Sequence, residues 1–189
     1  MAGLPIAVLD ADVLVPILSC DLLLSSFDHG LYQPVVTRRI LDEVTRSLAV
    51  DFPALDRPAI ARRVRQVAVA LAFNTEKEVA ATEAVAGVNA KDRHVASAAL
   101  AARADFVVTN DRRLRRQVDG IREPLRALSA DEFMVGLYRD QPERLVGVLD
   151  AMVAKRTRRP ISRSELVDAL KSSFPQLVNR LTEAGHADS

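Results

Sequence analysis

The sequence predicts an α/β protein: a three-layer α/β/α sandwich on a mainly parallel sheet over residues 1–140, followed by a helical extension over 141–189. Three observations predict it. Ile6-Ala7-Val8-Leu9 is an apolar run without alternation, the pattern of a strand covered on both faces, and Ala104-Asp105-Phe106-Val107-Val108-Thr109 reads as a second buried strand. Between them Val95, Ala98, Ala99 and Ala102 recur at helical spacing, so strand, helix and strand succeed one another in the grammar of a parallel sheet. Beyond Gln141 only helical spacing is left.

Taken in order, the first strand is Ile6–Leu9, running into Asp10 and, two residues later, Asp12. Pro16 to about Asp28 reads as a helix, with Pro near its start and Gly30 just past its end. Leu31–Val36 reads as a short extended connection. Thr37 then caps a helix with the apolar stripe Ile40, Leu41, Val44 and Leu48. Glu43 borders that stripe, where a surface ion pair with Arg39 or Arg46 is its plain structural role. Asp51 to Pro58 reads as a loop and Ala59 to about Phe73 as a helix with Arg62, Arg63 and Arg65 on its wetter side. Residues 74–88 carry little signal beyond a short helix and a turn at Gly87.

Asn89 followed by Asp92 has the form of a helix cap with an acid at the third position. Asp92 would then sit in the helix's first turn on the face of Val95 and Ala99, where a capping carboxylate is its structural role. Asn110 and Asp111 close the second strand. Pro124–Leu128 reads as another short strand, and Ser129 with Glu132 as a capping box for a helix to about Arg139. Pro142 opens a helix carrying Leu145, Val146, Leu149, Met152 and Val153. Ser162 with Glu165 caps the next, carrying Leu166, Ala169 and Leu170, after the basic link Lys155–Pro160.

Composition excludes more than it selects. Hydrophobic residues make up 49% and charged residues 27%, the balance of a globular domain. Lys and Arg total 26 against 25 Asp and Glu, so attraction to nucleic acid must come from local clustering. One cysteine, Cys20 in an apolar run, forms no internal disulfide and reads as core filler. Three scattered histidines offer no zinc spacing. No apolar run approaches the roughly 18 residues of a membrane span and no signal peptide is evident, so a cytoplasmic protein without a membrane partner is expected.

The acids at element ends carry the chemistry. In a parallel sheet, strand carboxyl ends and the following helix starts share one edge, which brings Asp10, Asp92 and Asp111 together. Gathered carboxylates repel one another unless a cation neutralises them. Oxygen ligands without Cys or His point to Mg²⁺ or Mn²⁺, and the matching chemistry is phosphodiester hydrolysis. Each acid keeps its bland alternative; Asp10 and Asp12 could simply cap the next helix.

Four segments resemble PIN domains, the nuclease fold of VapC-type toxins, in a bacterial branch with a helical C-terminal extension. They are Val8-Leu9-Asp10-Ala11-Asp12-Val13-Leu14, Ile40-Leu41-Asp42-Glu43, Asp92-Arg93-His94-Val95-Ala96-Ser97-Ala98-Ala99 and Val107-Val108-Thr109-Asn110-Asp111. Each is weak alone; the four in this order across residues 6–128 make a specific signal. The resemblance implies that Asp10, Glu43, Asp92 and Asp111 are catalytic metal ligands for Mg²⁺ or Mn²⁺. Thr109 would support them, and Asp12, where relatives often carry Asn, would stand behind them with Asn110. It further implies a single-stranded RNA substrate and a cognate antitoxin protein, and leaves a homodimer open. Arg112, Arg113, Arg115 and Arg116 follow Asp111 directly and would grip RNA phosphates, unless they form an ordinary solvated helix face.

Two rival functions use some of the same residues. In a haloacid-dehalogenase phosphatase Asp10 would be a nucleophile and Asp12 a general acid. That reading needs a later strand ending in paired acids, which residues 112–189 lack, and it leaves Glu43 and Asp92 without a role. A non-catalytic PIN-like interaction module would be favoured by loss of an acid, and all four are present.

Overall fold

The computed structural model describes residues 3–52, 54, 57–70, 83–121 and 124–188. Its sheet has four strands, β1 (Ile6–Leu9), β2 (Gln33–Val35), β3 (Phe106–Val108) and β4 (Arg126–Leu128), in the order β2-β1-β3-β4. Every neighbouring pair is parallel, with Val8 opposite both Val35 and Val107, and Val107 opposite Ala127. Helices cover both sides of the sheet, and Ala7, Val8 and Leu9 are fully buried. That burial on both faces is why β1 shows no polar alternation.

Two elements near the start of the chain depart from the sequence reading. The Leu31–Val36 connection contains β2, an edge strand. Pro34 has no N–H to give, which an edge tolerates, and Gln33 N donates instead to Pro5 O. One helical turn, α1 (Ala11–Leu14), also precedes the expected helix α2 (Ile17–Asp28). Arg63, from α4 (Arg57–Ala70), donates to Val15 O at 2.9 Å where α1 ends.

Thr37 caps α3 (Arg38–Asp51) by accepting from Ile40 N, and Ile40, Leu41, Val44 and Leu48 are buried as the stripe requires. α3 therefore takes in Asp51, and Pro58 falls in the first turn of α4, which shortens the expected loop from both ends. The expected helical residues 71–73 and most of the poorly legible 74–88 lie outside the described residues; a 3₁₀ turn at Glu83–Val85 and a turn at Gly87 follow. Then comes α5 (Arg93–Ala101), packed across β1 and β3. Six consecutive residues of it, His94 to Ala99, are buried, and small side chains let it lie that close to the sheet.

The remaining helices are α6 (Arg112–Val118), α7 (Ala130–Asp140), α8 (Pro142–Ala154), α9 (Arg163–Leu170) and α10 (Pro175–Glu183). The Ser129–Glu132 and Ser162–Glu165 capping boxes both form. In α8 Val148 joins Leu145, Leu149 and Met152 in the core while Val146 and Val153 stay half-buried; in α9 Val167 takes the place expected of Ala169. α8 packs on α2 and α7, and α10 on α7 and α9, so the extension folds back onto the sheet domain rather than away from it. Buried Asp131 fixes this junction: its two carboxylate oxygens accept from Gln176 N and Leu177 N, both at 3.0 Å, capping α10 from 45 residues away. Among the described residues, buried apolar side chains from Ala7 to Ala187 form one cluster, and no helix is long and apolar enough to cross a membrane.

Candidate active site at the carboxyl edge of the sheet

With all strands parallel, the carboxyl ends of β1 and β3 lie side by side at the centre of the sheet, and Asp10 N donates to Val108 O there. The chain turns away from β1 to β2 on one side and reaches β3 on the other, the kind of crossing point where open α/β sheets leave a crevice. A cleft of about 300 Å³ opens at this point, lined by Asp10, Asp12, Glu43, Lys91, Asp92 and Asp111 among others. Four regions of the chain, 10–12, 43–47, 91–92 and 111, thus supply five acids to one cavity.

Each acid is held differently. Asp10 caps α1: Oδ1 accepts from Ala11 N at 2.7 Å, and Oδ2 accepts from the Thr109 hydroxyl at 2.8 Å. Both hydrogen bonds favour its charged form, yet burial outweighs them and pushes its pKa up. Asp12 Oδ2 accepts from Asn110 N at 2.9 Å, and Oδ1 is buried with no hydrogen-bond partner. Burial, followed by repulsion from Asp10, raises the Asp12 carboxyl to about 7. The Thr109 hydroxyl also lies 3.3 Å from Asp12 Oδ2 and accepts from Asp111 N at 3.2 Å. Asn110 reaches Asp12 by its main chain, while its side chain turns aside to accept from Ala130 N.

Asp92 occupies the residue before α5, but its side chain caps nothing. The anticipated Asn89–Asp92 cap does not form, because residues 89–92 fold into a turn in which Asn89 Oδ1 faces Lys91 N and the helix starts at Arg93. Asp92 Oδ2 is buried without a hydrogen-bond partner, and burial raises its pKa. Asp111 does cap: Oδ1 accepts from Arg113 N and Leu114 N, bonds to its charged form that hold its pKa low, while Oδ2 is left toward the cleft's Lys91. Glu43 keeps the expected ion pairs, Oε1 standing 3.8 Å from Arg39 and 3.6 Å from Arg46, and turns Oε2 to His94 Nε2 at 3.2 Å.

Two residues of this site were not singled out in the sequence. His94 Nδ1 donates to Lys91 O at 2.9 Å, which leaves Nε2 aimed at Glu43. The Lys91 ammonium stands 3.7 Å from Asp92 Oδ2 and 3.8 Å from Asp111 Oδ2. Their adjacency to Asp92 was the available signal. Of the arginines, Arg112, Arg113 and Arg116 are exposed along α6, but Arg115 turns inward, its guanidinium bonded to Glu132 at 2.6 Å.

A larger cavity, about 690 Å³, lies between β4 and α7. Its acids are spoken for: Asp105 accepts from Ile6 N, Glu132 from Arg115, and Asp140 from Arg139. Unpaired polar atoms, not volume, distinguish the smaller cleft. Among the described residues no three His, Cys, Asp or Glu side chains are gathered tightly enough to cage an ion as they stand. The donor set is nevertheless one of hard oxygens, and the partnerless atoms Asp12 Oδ1 and Asp92 Oδ2 belong to it, as a divalent cation would require.

The crystal structure of PAE2754 from Pyrobaculum aerophilum is similar in fold, with a TM-score of 0.54 at 19% identity over 71% of this chain and 96% of that one. Among curated proteins none matches. The family model described as VapC50 C-terminal domain matches residues 130–183, from α7 through α10. The PIN domain model matches residues 7–113, more than half of the chain and all of the cleft's acids, and the chain therefore belongs to the PIN domain family, a family of nucleases, in its VapC-type form.

Proposed function

We propose that the protein is a Mg²⁺- or Mn²⁺-dependent endoribonuclease that cuts single-stranded RNA in the cytoplasm as the toxin of a type II toxin–antitoxin pair. The observation that most supports it is the convergence of Asp10, Asp12, Glu43, Asp92 and Asp111 on one cleft, with buried oxygens of Asp12 and Asp92 left without a hydrogen bond. Such a set destabilises the fold and is understandable where a cation is bound. Asp10, Glu43, Asp92 and Asp111 would hold the ion, which when bound would supply an activated water and charge stabilisation at the phosphodiester.

The chain's own groups would do the rest. Thr109 fixes the rotamer of Asp10 and the main chain of Asp111 together. His94 Nε2 faces Glu43 Oε2 at the cleft wall. Arg112, Arg113 and Arg116 would meet RNA phosphates beside Asp111, with Arg115 excluded by its bond to Glu132. With six Phe, two Tyr and no Trp in the chain, stacking on bases has few platforms. The nuclease unit would span 1–140 and the helical unit 141–189, with α7 packing on both β4 and α10. An antitoxin would close the site by sending an Arg into the acidic cleft or by laying an apolar helix in a groove.

The test is cleavage of a labelled single-stranded RNA by purified protein. Cleavage that stops in EDTA and returns with Mg²⁺ or Mn²⁺ is expected, along with slowed growth on expression of the gene alone. Undiminished cleavage in excess chelator would refute the mechanism, and harmless expression of soluble wild-type protein would refute the toxin assignment.

A further inference from the structure

Lys91 carries an inference that rests on the metal site just proposed. Its ammonium stands between Asp92 and Asp111, 3.7 Å from one carboxylate and 3.8 Å from the other. Both distances exceed those of a hydrogen bond, and Asp92 Oδ2 is left unbonded, so the lysine acts as a charge near two acids rather than as a bonded partner. The position is built into the backbone. His94 Nδ1 holds the Lys91 carbonyl, and Asn89 Oδ1 faces the Lys91 N–H, which fixes where the flexible stem begins. The side chain is 67% exposed and can swing into water at little cost.

We propose that Lys91 is a tethered counter-ion of the cleft. Its ammonium competes with the divalent cation for Asp92 and Asp111 and thereby sets how tightly that cation binds. Without a cation it offsets part of the repulsion among the acids. When a cation arrives, its charge must move aside, and the affinity is lowered by the attraction given up.

The experiment compares wild type, Lys91→Met and Lys91→Arg, each stripped of metal and titrated with Mn²⁺ at low ionic strength. The free ion is followed by its paramagnetic resonance signal, a readout independent of cleavage. Lys91→Met removes the charge and keeps the stem, and should bind Mn²⁺ roughly five- to tenfold more tightly, the order expected for one unit charge at this range in a watery cleft. Lys91→Arg should stay within about twofold of wild type on the same reasoning. Unchanged or weaker binding by Lys91→Met, with wild type binding normally, would overturn the proposal and leave the metal site standing. Lys91→Arg binding Mn²⁺ as tightly as Lys91→Met would overturn it too, because charge would then not be what competes. Failure of wild type to bind Mn²⁺ at all would remove the metal site and this inference together.

Discussion

The carboxylates around α7 and those of the cleft belong to one fold and are treated in opposite ways. Asp131 gives each of its oxygens to a backbone N–H of α10. Glu132 accepts from Ser129 and from Arg115, and these bonds, the Ser129 N–H first, hold its pKa below the usual range. In the cleft the direction reverses for three of the five acids: Asp10, Asp12 and Asp92 have raised pKa values, with burial as the leading cause, and two of them keep an oxygen without a hydrogen bond, while Asp111, which caps α6, stays low. A buried carboxylate that is fully bonded ties elements together; one that is not weakens the free protein. Asp131 and Glu132 serve the stability of α7 and α10, whereas Asp10, Asp12 and Asp92 are held at the expense of stability, the pattern of a site shaped for a ligand.

The largest expected effect lies on the structural side. Asp131→Ala removes both caps from α10 and leaves two backbone N–H groups unsatisfied at a buried junction. Unfolding by urea should show a loss of about 3 kcal/mol, from charge-assisted bonds lost within the core. An unchanged midpoint would mean that α10 does not depend on α7 for its start.

Asp12→Asn should act in the other direction. Asn can still accept from Asn110 N while shedding the buried charge, so the metal-free protein should gain stability at pH 8, roughly 1–2 kcal/mol once relaxation and water penetration at the cleft discount the ~4 kcal/mol of the full shift. The sign follows from linkage. Asp12 has a folded pKa of about 7 against 3.8 unfolded, so between these values the native state holds a proton that the unfolded chain has released. Stability from this group is therefore full below about pH 4 and is lost as pH rises through 7. The gap between mutant and wild type should widen from pH 5 to pH 8 in chelator-treated melts. A constant gap would place the Asp12 titration elsewhere.

Smaller again is the capping box. Ser129→Ala should cost about 1 kcal/mol and leave cation binding untouched, since Ser129 serves the start of α7 alone. A calorimetric titration beside a melting curve separates the two readouts.

How much of this was legible depended on whether a signal was local. β1 and β3 announced themselves because burial on both faces writes an unbroken apolar run, and the acids at their ends followed from the parallel rule. The capping boxes were legible because donor and acceptor lie three residues apart. β2 was not, since three residues including Pro34 carry no periodicity and its partner is 27 residues away in register. Nor was α10: its N-cap position is Phe174, and the cap comes from Asp131. The same locality misled at Asn89–Asp92, where the spacing fits a cap and the chain makes a turn. Lys91 and His94 gain their place only when α5, α3 and β3 are brought together, which no short pattern records.

Asp92 is where the two treatments of a carboxylate compete most closely, because it stands in a helix-capping position and makes no capping bond. The most direct measurement purifies wild type and Asp92→Asn, melts both without metal, and assays cleavage of single-stranded RNA across a Mn²⁺ titration. Loss of a carboxylate whose Oδ2 is buried without a hydrogen bond and whose pKa burial raises should keep or raise the melting temperature, while cleavage collapses at every Mn²⁺ concentration. Cleavage near the wild-type rate in a folded mutant would contradict the assignment of Asp92 and leave the cleft short of a ligand.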